Sequence, residues 1–304
     1  MSQDGLARLQ QKLGERVQRN VPLAPRTTFR IGGPADLLAE AKSIPELVEF
    51  VRLARECHVP LFLLGNGSNI LVRDGGVRGL VIENHCEQSR LSVAQAGRAI
   101  LHAESGVVLP GIANRMARQG WAGLEWAAGV PGTLGGAIVG NAGAHGASMA
   151  DSVVNVSILD QANAVRELPK TDLAFDYRMS RFKRTKSEIV LSAELEFKRD
   201  DPQACLARLN DFTQRRRRTQ PTEHSVGSMF KNPPGNFAGR LIEQAGLKGT
   251  RIGQVEVSTM HANFFVNHGG ASANDVLRLM DLVRERVQHQ FGIALELEIE
   301  MVGN

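Results

Sequence analysis

Apolar residues recur along this chain with two different periods, and the switches between them mark its elements. After Ser43-Ile44-Pro45, the residues Leu47, Val48, Val51 and Ala54 return every three or four positions. That is the period of a helix with one buried face. Serine caps such a helix, and proline suits its first turn, where an amide donor is spare. Pro60–Leu64 is a short apolar run predicted as a buried strand, broken by Gly65-Asn66-Gly67-Ser68-Asn69. Ile70–Val72 and Leu80–Ile82 are further predicted strands on either side of an Asp74-Gly75-Gly76 turn. The pattern predicts a helix over Leu109–Gln119, with Ile112 and Met116 inward, and strands over Val153–Leu159 and Ile189–Phe197.

Beyond that point the pattern changes character. Asp201-Pro202 opens a predicted helix that carries Cys205, Leu206, Leu209 and Phe212 and runs into Arg215–Arg218. A composition shift near Arg199–Pro202 marks the expected domain boundary. Farther on, Ser272 or Asn274 can cap a helix whose Val276, Met280, Val283, Val287 and Phe291 form one stripe, stopped by Gly292. Ile293–Val302 then alternates and is predicted as a strand. Ile293, Leu295, Leu297, Ile299 and Met301 take one face, and Glu296, Glu298 and Glu300 the other.

Composition narrows the class. The 304 residues are 42% hydrophobic, enough for a substantial core. The longest apolar runs fall far short of the roughly 18 residues a membrane helix needs. The polar N-terminus gives no secretory h-region, and the three cysteines give neither a disulfide framework nor a zinc spacing, so a cytoplasmic setting is expected. The net charge of +4 equals the charge of the single run Arg215–Arg218. A nucleic-acid binder spreads basic charge over a whole face instead. Glycine changes the picture more, because 17 of the 31 lie between Gly65 and Gly146.

Gly65–Asn69 follows directly on an apolar strand. Glycines there let main-chain amides approach a phosphate, and Ser68 and Asn66 add neutral donors, which suits a pyrophosphate cradle. An ordinary tight turn is the plain alternative. The dinucleotide fingerprint G-x-G-x-x-G fails, because Ile70 replaces the third glycine and a strand follows. No P-loop is present either. Gly129–Gly143 puts six glycines in fifteen residues, a backbone-entropy cost best explained by close approach to a large flat ligand.

Two glycine loops without a Rossmann pattern resemble the FAD-binding fold of the vanillyl-alcohol-oxidase (PCMH) type. Phe29–Ala35, Gly65–Asn69 and Gly129–Gly146 look like the FAD segments of the UDP-N-acetylenolpyruvoylglucosamine reductases. The motifs Tyr177-Arg178-x-Ser180-x-Phe182, Gly227-Ser228-Met229-Phe230-Lys231-Asn232-Pro233 and Leu295-Glu296-Leu297-Glu298 match that family in the same order. The resemblance runs from about residue 20 to the end. It implies an α+β architecture with an FAD-binding domain over 20–199, in subdomains of about 20–84 and 85–199. A C-terminal α+β substrate domain follows over 205–304.

The family makes UDP-N-acetylmuramate for peptidoglycan. Hydride passes from NADPH to FAD and then from flavin N5 to C3 of an enolpyruvyl ether, and a proton is delivered to C2. This chemistry needs a cation near the substrate carboxylate, a proton donor and a stabiliser of the enolic intermediate. The resemblance gives these roles to Arg178, Ser228 and Glu298. Guanidinium can hold a carboxylate with two parallel hydrogen bonds, and a serine needs a nearby cation, such as Lys231, to act as an acid. Repulsion among Glu296, Glu298 and Glu300, about 7 Å apart at a strand rise of ~3.4 Å, together with partial burial, is expected to raise a carboxyl pKa.

For FAD the expected contacts are Gly65, Asn66, Gly67, Ser68 and Asn69 in the first loop. In the second they are Gly132, Thr133, Gly135, Gly136, Asn141 and Gly143. For substrate the family points to Tyr177, the chain's one tyrosine, and to Lys231, Asn232 and His261, with Arg216 at the UDP phosphates. Arg178 and Ser228 lie only 50 residues apart with no tyrosine between, as in the class lacking an extra substrate loop. His145 stands where a tyrosine is frequent. No H-E-x-x-H or facial triad occurs, so no catalytic metal is expected. Two rival readings stand beside this one. An FAD oxidase of the same fold could attach flavin covalently through His145, and a nucleic-acid module could use the arginine run. No obligate protein partner is evident.

Overall fold

The first glycine loop leaves the edge of a four-stranded sheet. Its strands lie in the order Val17–Pro22, Pro34–Ala41, Val77–Asn84, Leu61–Leu64, the first pair antiparallel and the others parallel. The structure is a computed structural model that describes residues 3–94 and 97–304. The helix Ile44–Glu56 crosses between parallel strands, as its apolar stripe predicts. Ser43 Oγ accepts the Glu46 amide at its start, and Leu47, Phe50, Val51 and Ala54 are buried against the sheet.

A second, antiparallel sheet follows, in the order Val165–Pro169, Val153–Leu159, Ile189–Arg199, Arg98–Glu104, Ser89–Val93. The helix Leu109–Arg118 covers it, burying Ile112 and Met116 in the largest apolar cluster. The second glycine segment runs over the same cluster and contains the short helix Leu134–Val139, whose first turn Thr133 caps.

The third sheet is small and antiparallel: His224–Ser228, Phe264–Asn267, Val255–Val257, Arg251–Ile252. The helix Ala273–Phe291 packs on it with the expected stripe. Ser272 caps one end, and Gly292 at φ +68° closes the other. The helix Pro202–Thr219, which comes before this sheet in the chain, is capped by Asp201 but belongs elsewhere. Cys205 and Leu209 bury against Ala117, and Phe212 packs on the cluster of the second sheet.

The C-terminal segment departs from expectation. Only Glu300–Val302 forms a strand, parallel to Ile70–Val72 of the first glycine loop's exit. Residues 293–299 make a single bridge, Phe230↔Leu297. The alternation is real in burial, since Leu295 and Ile299 are buried and Glu296 is exposed. It reflects one apolar face on the core without a partner strand along its length.

Candidate active site

Three distant stretches meet where the C-terminal segment passes the end of the third sheet. Asp176 and Met179 exchange both backbone hydrogen bonds, at 3.0 and 3.1 Å, so Tyr177 and Arg178 form the tip of a two-residue hairpin. Arg178 sits there at φ +54°, in the left-handed region that residues with a side chain seldom occupy. Its Nε donates to Glu298 Oε1 at 2.7 Å. Burial pushes the Glu298 carboxyl above its ordinary value, outweighing the opposing pull of Arg178, Lys183 and Lys231. Neighbouring glutamates do not cause this rise. Glu296 is paired with Lys231 at 3.1 Å and Glu300 with Lys186 at 3.0 Å, so the expected mutual repulsion is replaced by three separate ion pairs.

Ser228 reaches this cluster through a β-bulge. The pairing of His224–Ser228 with Phe264–Asn267 shifts register between Ser225 and Ser228, with Gly227 at φ +80° in the gap. A bulge re-aims the residue that follows it. The next carbonyl, that of Met229, accepts the Glu298 amide at 3.0 Å, and Lys231 N–H donates to the Glu296 carbonyl at 2.8 Å. Met229, the residue after Ser228, is thereby joined to Glu298 by a main-chain contact.

The glycine loops lock together beside this cluster. Ser68 Oγ donates to the Pro131 carbonyl at 3.1 Å, and a Cβ on Gly65 would lie 2.6 Å from Thr133 Oγ1. The amides of Asn66, Gly67 and Ser68 have no protein acceptor among the described residues. Donors left open in this way suit an anionic ligand. Asn69 joins loop to cluster, its Nδ2 donating to the Glu298 carbonyl at 3.3 Å and its carbonyl accepting the Glu300 amide at 3.0 Å. Asn141, at φ +41°, accepts the Ala150 amide and donates to the Asp176 carbonyl at 2.9 Å. It thereby steadies the Arg178 hairpin from the second loop.

Residues 220–302 match a family model described as "UDP-N-acetylenolpyruvoylglucosamine reductase, C-terminal domain", and residues 35–168 one described as "FAD binding domain". A UDP-N-acetylenolpyruvoylglucosamine reductase of Rubrobacter xylanophilus is 46% identical over 293 residues, covering 96% of this chain and 97% of the relative. That of Moorella thermoacetica is 47% identical over 296 residues, covering 97% and 96%. The chain belongs to the UDP-N-acetylenolpyruvoylglucosamine reductase family. The crystal structure of the reductase from Thermus caldophilus superposes with a TM-score of 0.79 at 36% identity, covering 95% of this chain and 99% of that one.

As a member of that reductase family the chain is an oxidoreductase with FAD as cofactor, on the α+β FAD-binding fold expected from its glycine loops. The residues present fit the cofactor: open amides in the first loop, and a guanidinium without an acidic partner among the described residues beside the second. That guanidinium is Arg216. A Cβ on Gly129 would meet its Cδ at 2.6 Å, and burial alone pushes its pKa down. One turn on, the buried Gln220 Oε1 has no hydrogen-bond partner among the described residues and offers itself to a hydroxyl.

The remaining expected contacts divide. Tyr177, half exposed, receives the Asn232 amide on its hydroxyl at 3.3 Å, and the Arg178 guanidinium lies 5.5 Å from its ring centroid. Gly135 is buried against Ser105, and the partly buried Gly143 packs closely on the Ala147 carbonyl. His261 is half-buried beside Phe264, its Nδ1 accepting the Asn263 amide, and burial pushes it down. His145 stacks on Phe212 at 4.5 Å. Sequence reasoning missed Asn263, which clamps Phe230 through both main-chain groups at 2.9 and 2.8 Å and so fixes the Ser228–Lys231 segment. A single buried amide leaves no sequence signal.

Proposed function

We propose that this chain reduces UDP-N-acetylglucosamine enolpyruvate to UDP-N-acetylmuramate, a step of peptidoglycan precursor synthesis, with NADPH as reductant. Bound FAD supplies the hydride to C3 of the enolpyruvyl group. The protein's part is charge and a proton. Arg178 holds the substrate carboxylate through its free NH groups while Nε stays on Glu298, which draws electron density away from C2. Ser228 Oγ gives its proton to C2, aided by the positive charge of Lys231 on the same segment. Glu298, whose carboxyl burial pushes above its ordinary value, donates a hydrogen bond to the enolic oxygen in its protonated form.

Tyr177, Lys231, Asn232 and His261 are assigned to substrate, and the five residues of Gly65–Asn69 with the second glycine segment to FAD. Arg216 serves a diphosphate, and its packing on Gly129 favours that of FAD over that of UDP. The division into FAD-binding and substrate parts is placed near 20–199 and 205–304, except that the helix Pro202–Thr219 goes with the FAD-binding part, because Cys205 and Leu209 bury against Ala117 and Phe212 packs on the second sheet's cluster. The three free, buried thiols suit a reducing cytoplasm.

The observation that carries this reading is the meeting of Arg178, Glu298 and the Ser228 segment beside two interlocked glycine loops. The test is spectroscopic. Anaerobic NADPH should bleach the flavin band, and the enolpyruvyl nucleotide should restore it with formation of a product heavier by two hydrogens. A flavin recovered by oxygen but not by that nucleotide would replace the reading with an oxidase.

A further inference from the structure

The site holds one cation more than its carboxylates use. Glu296, Glu298 and Glu300 are taken by Lys231, Arg178 and Lys186 respectively. Lys183, in the short helix Arg181–Thr185 that follows the Arg178 hairpin, pairs with no carboxylate among the described residues. Its Nζ donates instead to the Arg178 carbonyl at 3.3 Å. The charged groups that face it are Arg178 from the hairpin, Lys231 from the segment after Ser228, and Glu298 and Glu300 from the C-terminal segment.

Burial is the first reason that this ammonium is pushed below its ordinary pKa, and Lys231 adds to the effect. A half-buried ammonium without a counter-ion is costly in an isolated protein. It is useful where an anion must be drawn in and held. The carbonyl it grips belongs to a residue in left-handed backbone, a conformation that persists only when its surroundings enforce it.

We propose that Lys183 is a positioning residue of the active site, which locks the Arg178 turn through its carbonyl and supplies the surplus positive charge that an anionic substrate neutralises. The inference rests on the functional reading above, in that Arg178 must be the residue that receives the substrate carboxylate. It adds a residue outside the three catalytic roles.

The experiment uses holoenzyme whose flavin has been reduced chemically with dithionite, so that NADPH binding plays no part. Reoxidation by the enolpyruvyl nucleotide is followed in stopped flow for wild type, Lys183→Met, Lys183→Gln and Lys183→Arg, with Arg178→Ala as reference. FAD retention and melting temperature of each variant establish that it folds. Lys183→Met and Lys183→Gln should need about tenfold more nucleotide for half-maximal rate, and Lys183→Arg should recover most of that loss. Wild-type affinity should weaken as pH rises through the depressed ammonium pKa, and Lys183→Met should lack that dependence. Equal losses in Met and Arg variants, or no loss in Met, would overturn the inference. If Arg178→Ala is crippled while Lys183→Met is not, only this inference fails. If Arg178→Ala also behaves as wild type, the functional reading fails with it.

Discussion

Arg178 Nε donates to Glu298 Oε1 at 2.7 Å, joining residues 120 positions apart, with side chains only 24% and 15% exposed. Each group holds the other ready: the carboxylate orients the guanidinium, and the guanidinium offsets part of the rise that burial imposes on the carboxyl pKa. Lysine cannot reproduce this, because an ammonium lacks the planar fork that serves two carboxylates at once. Arg178→Lys is expected to lower kcat/KM about 100-fold, a loss of roughly 2.7 kcal/mol of transition-state stabilisation. Arg178→Ala should lose more. Steady-state kinetics with the enolpyruvyl nucleotide measure both, and a near-normal lysine variant would deny Arg178 its bidentate role.

The raised Glu298 pKa links stability to pH with a definite sign. Burial favours the neutral carboxyl in the folded state. The group's contribution is therefore complete below the unfolded glutamate pKa and fades as pH rises through the folded value. Glu298→Gln cannot titrate. The melting temperature of Glu298→Gln minus that of wild type should grow from about pH 4 to about pH 8. A difference that stays constant, or shrinks, would show the ion pair outweighing burial.

Much of this molecule was legible from its amino-acid pattern, and the failures share one physical cause. The helix after Ser43, the stripe ended by Gly292 and the loop after Leu64 all follow from local rules of period, cap and turn. The strand read into Ile293–Val302 did not form over most of its length. Alternation reports which side is buried, not whether a partner strand lies alongside. The same limit hid the separate cations of Glu296, Glu298 and Glu300, which come from elements remote in sequence. Arg216 was visible as charge, but its seat against Gly129 depends on how its helix docks.

Two glycine substitutions should part company. Gly65→Ala would bring a methyl group 2.6 Å from Thr133 Oγ1 and force the loops apart, so FAD should be lost on gel filtration. Gly111, in the helix Leu109–Arg118, has nothing within 4 Å of a built Cβ and ordinary helical backbone. Gly111→Ala should stabilise by about 0.5–1 kcal/mol through helix propensity, read from denaturant unfolding. Retained flavin in Gly65→Ala would contradict the interlocked-loop account.

Arg216→Met removes a guanidinium that has no acidic partner among the described residues and keeps most of its apolar stem. The FAD dissociation constant should rise about tenfold, equivalent to roughly 1.4 kcal/mol for one charge-assisted contact, with the nucleotide's KM much less affected. The opposite split would return Arg216 to the UDP phosphates.

The measurement closest to the heart of the account is stopped-flow spectroscopy on Ser228→Ala. NADPH should bleach its flavin at the wild-type rate, because Ser228 has no part in that half-reaction. Recovery of the flavin band on adding the enolpyruvyl nucleotide should then be slower by about 1,000-fold, within the range typical for loss of a general acid. Recovery at the wild-type rate would show that the proton reaches C2 from another group, and the assembly of Arg178, Ser228 and Glu298 would have to be read anew.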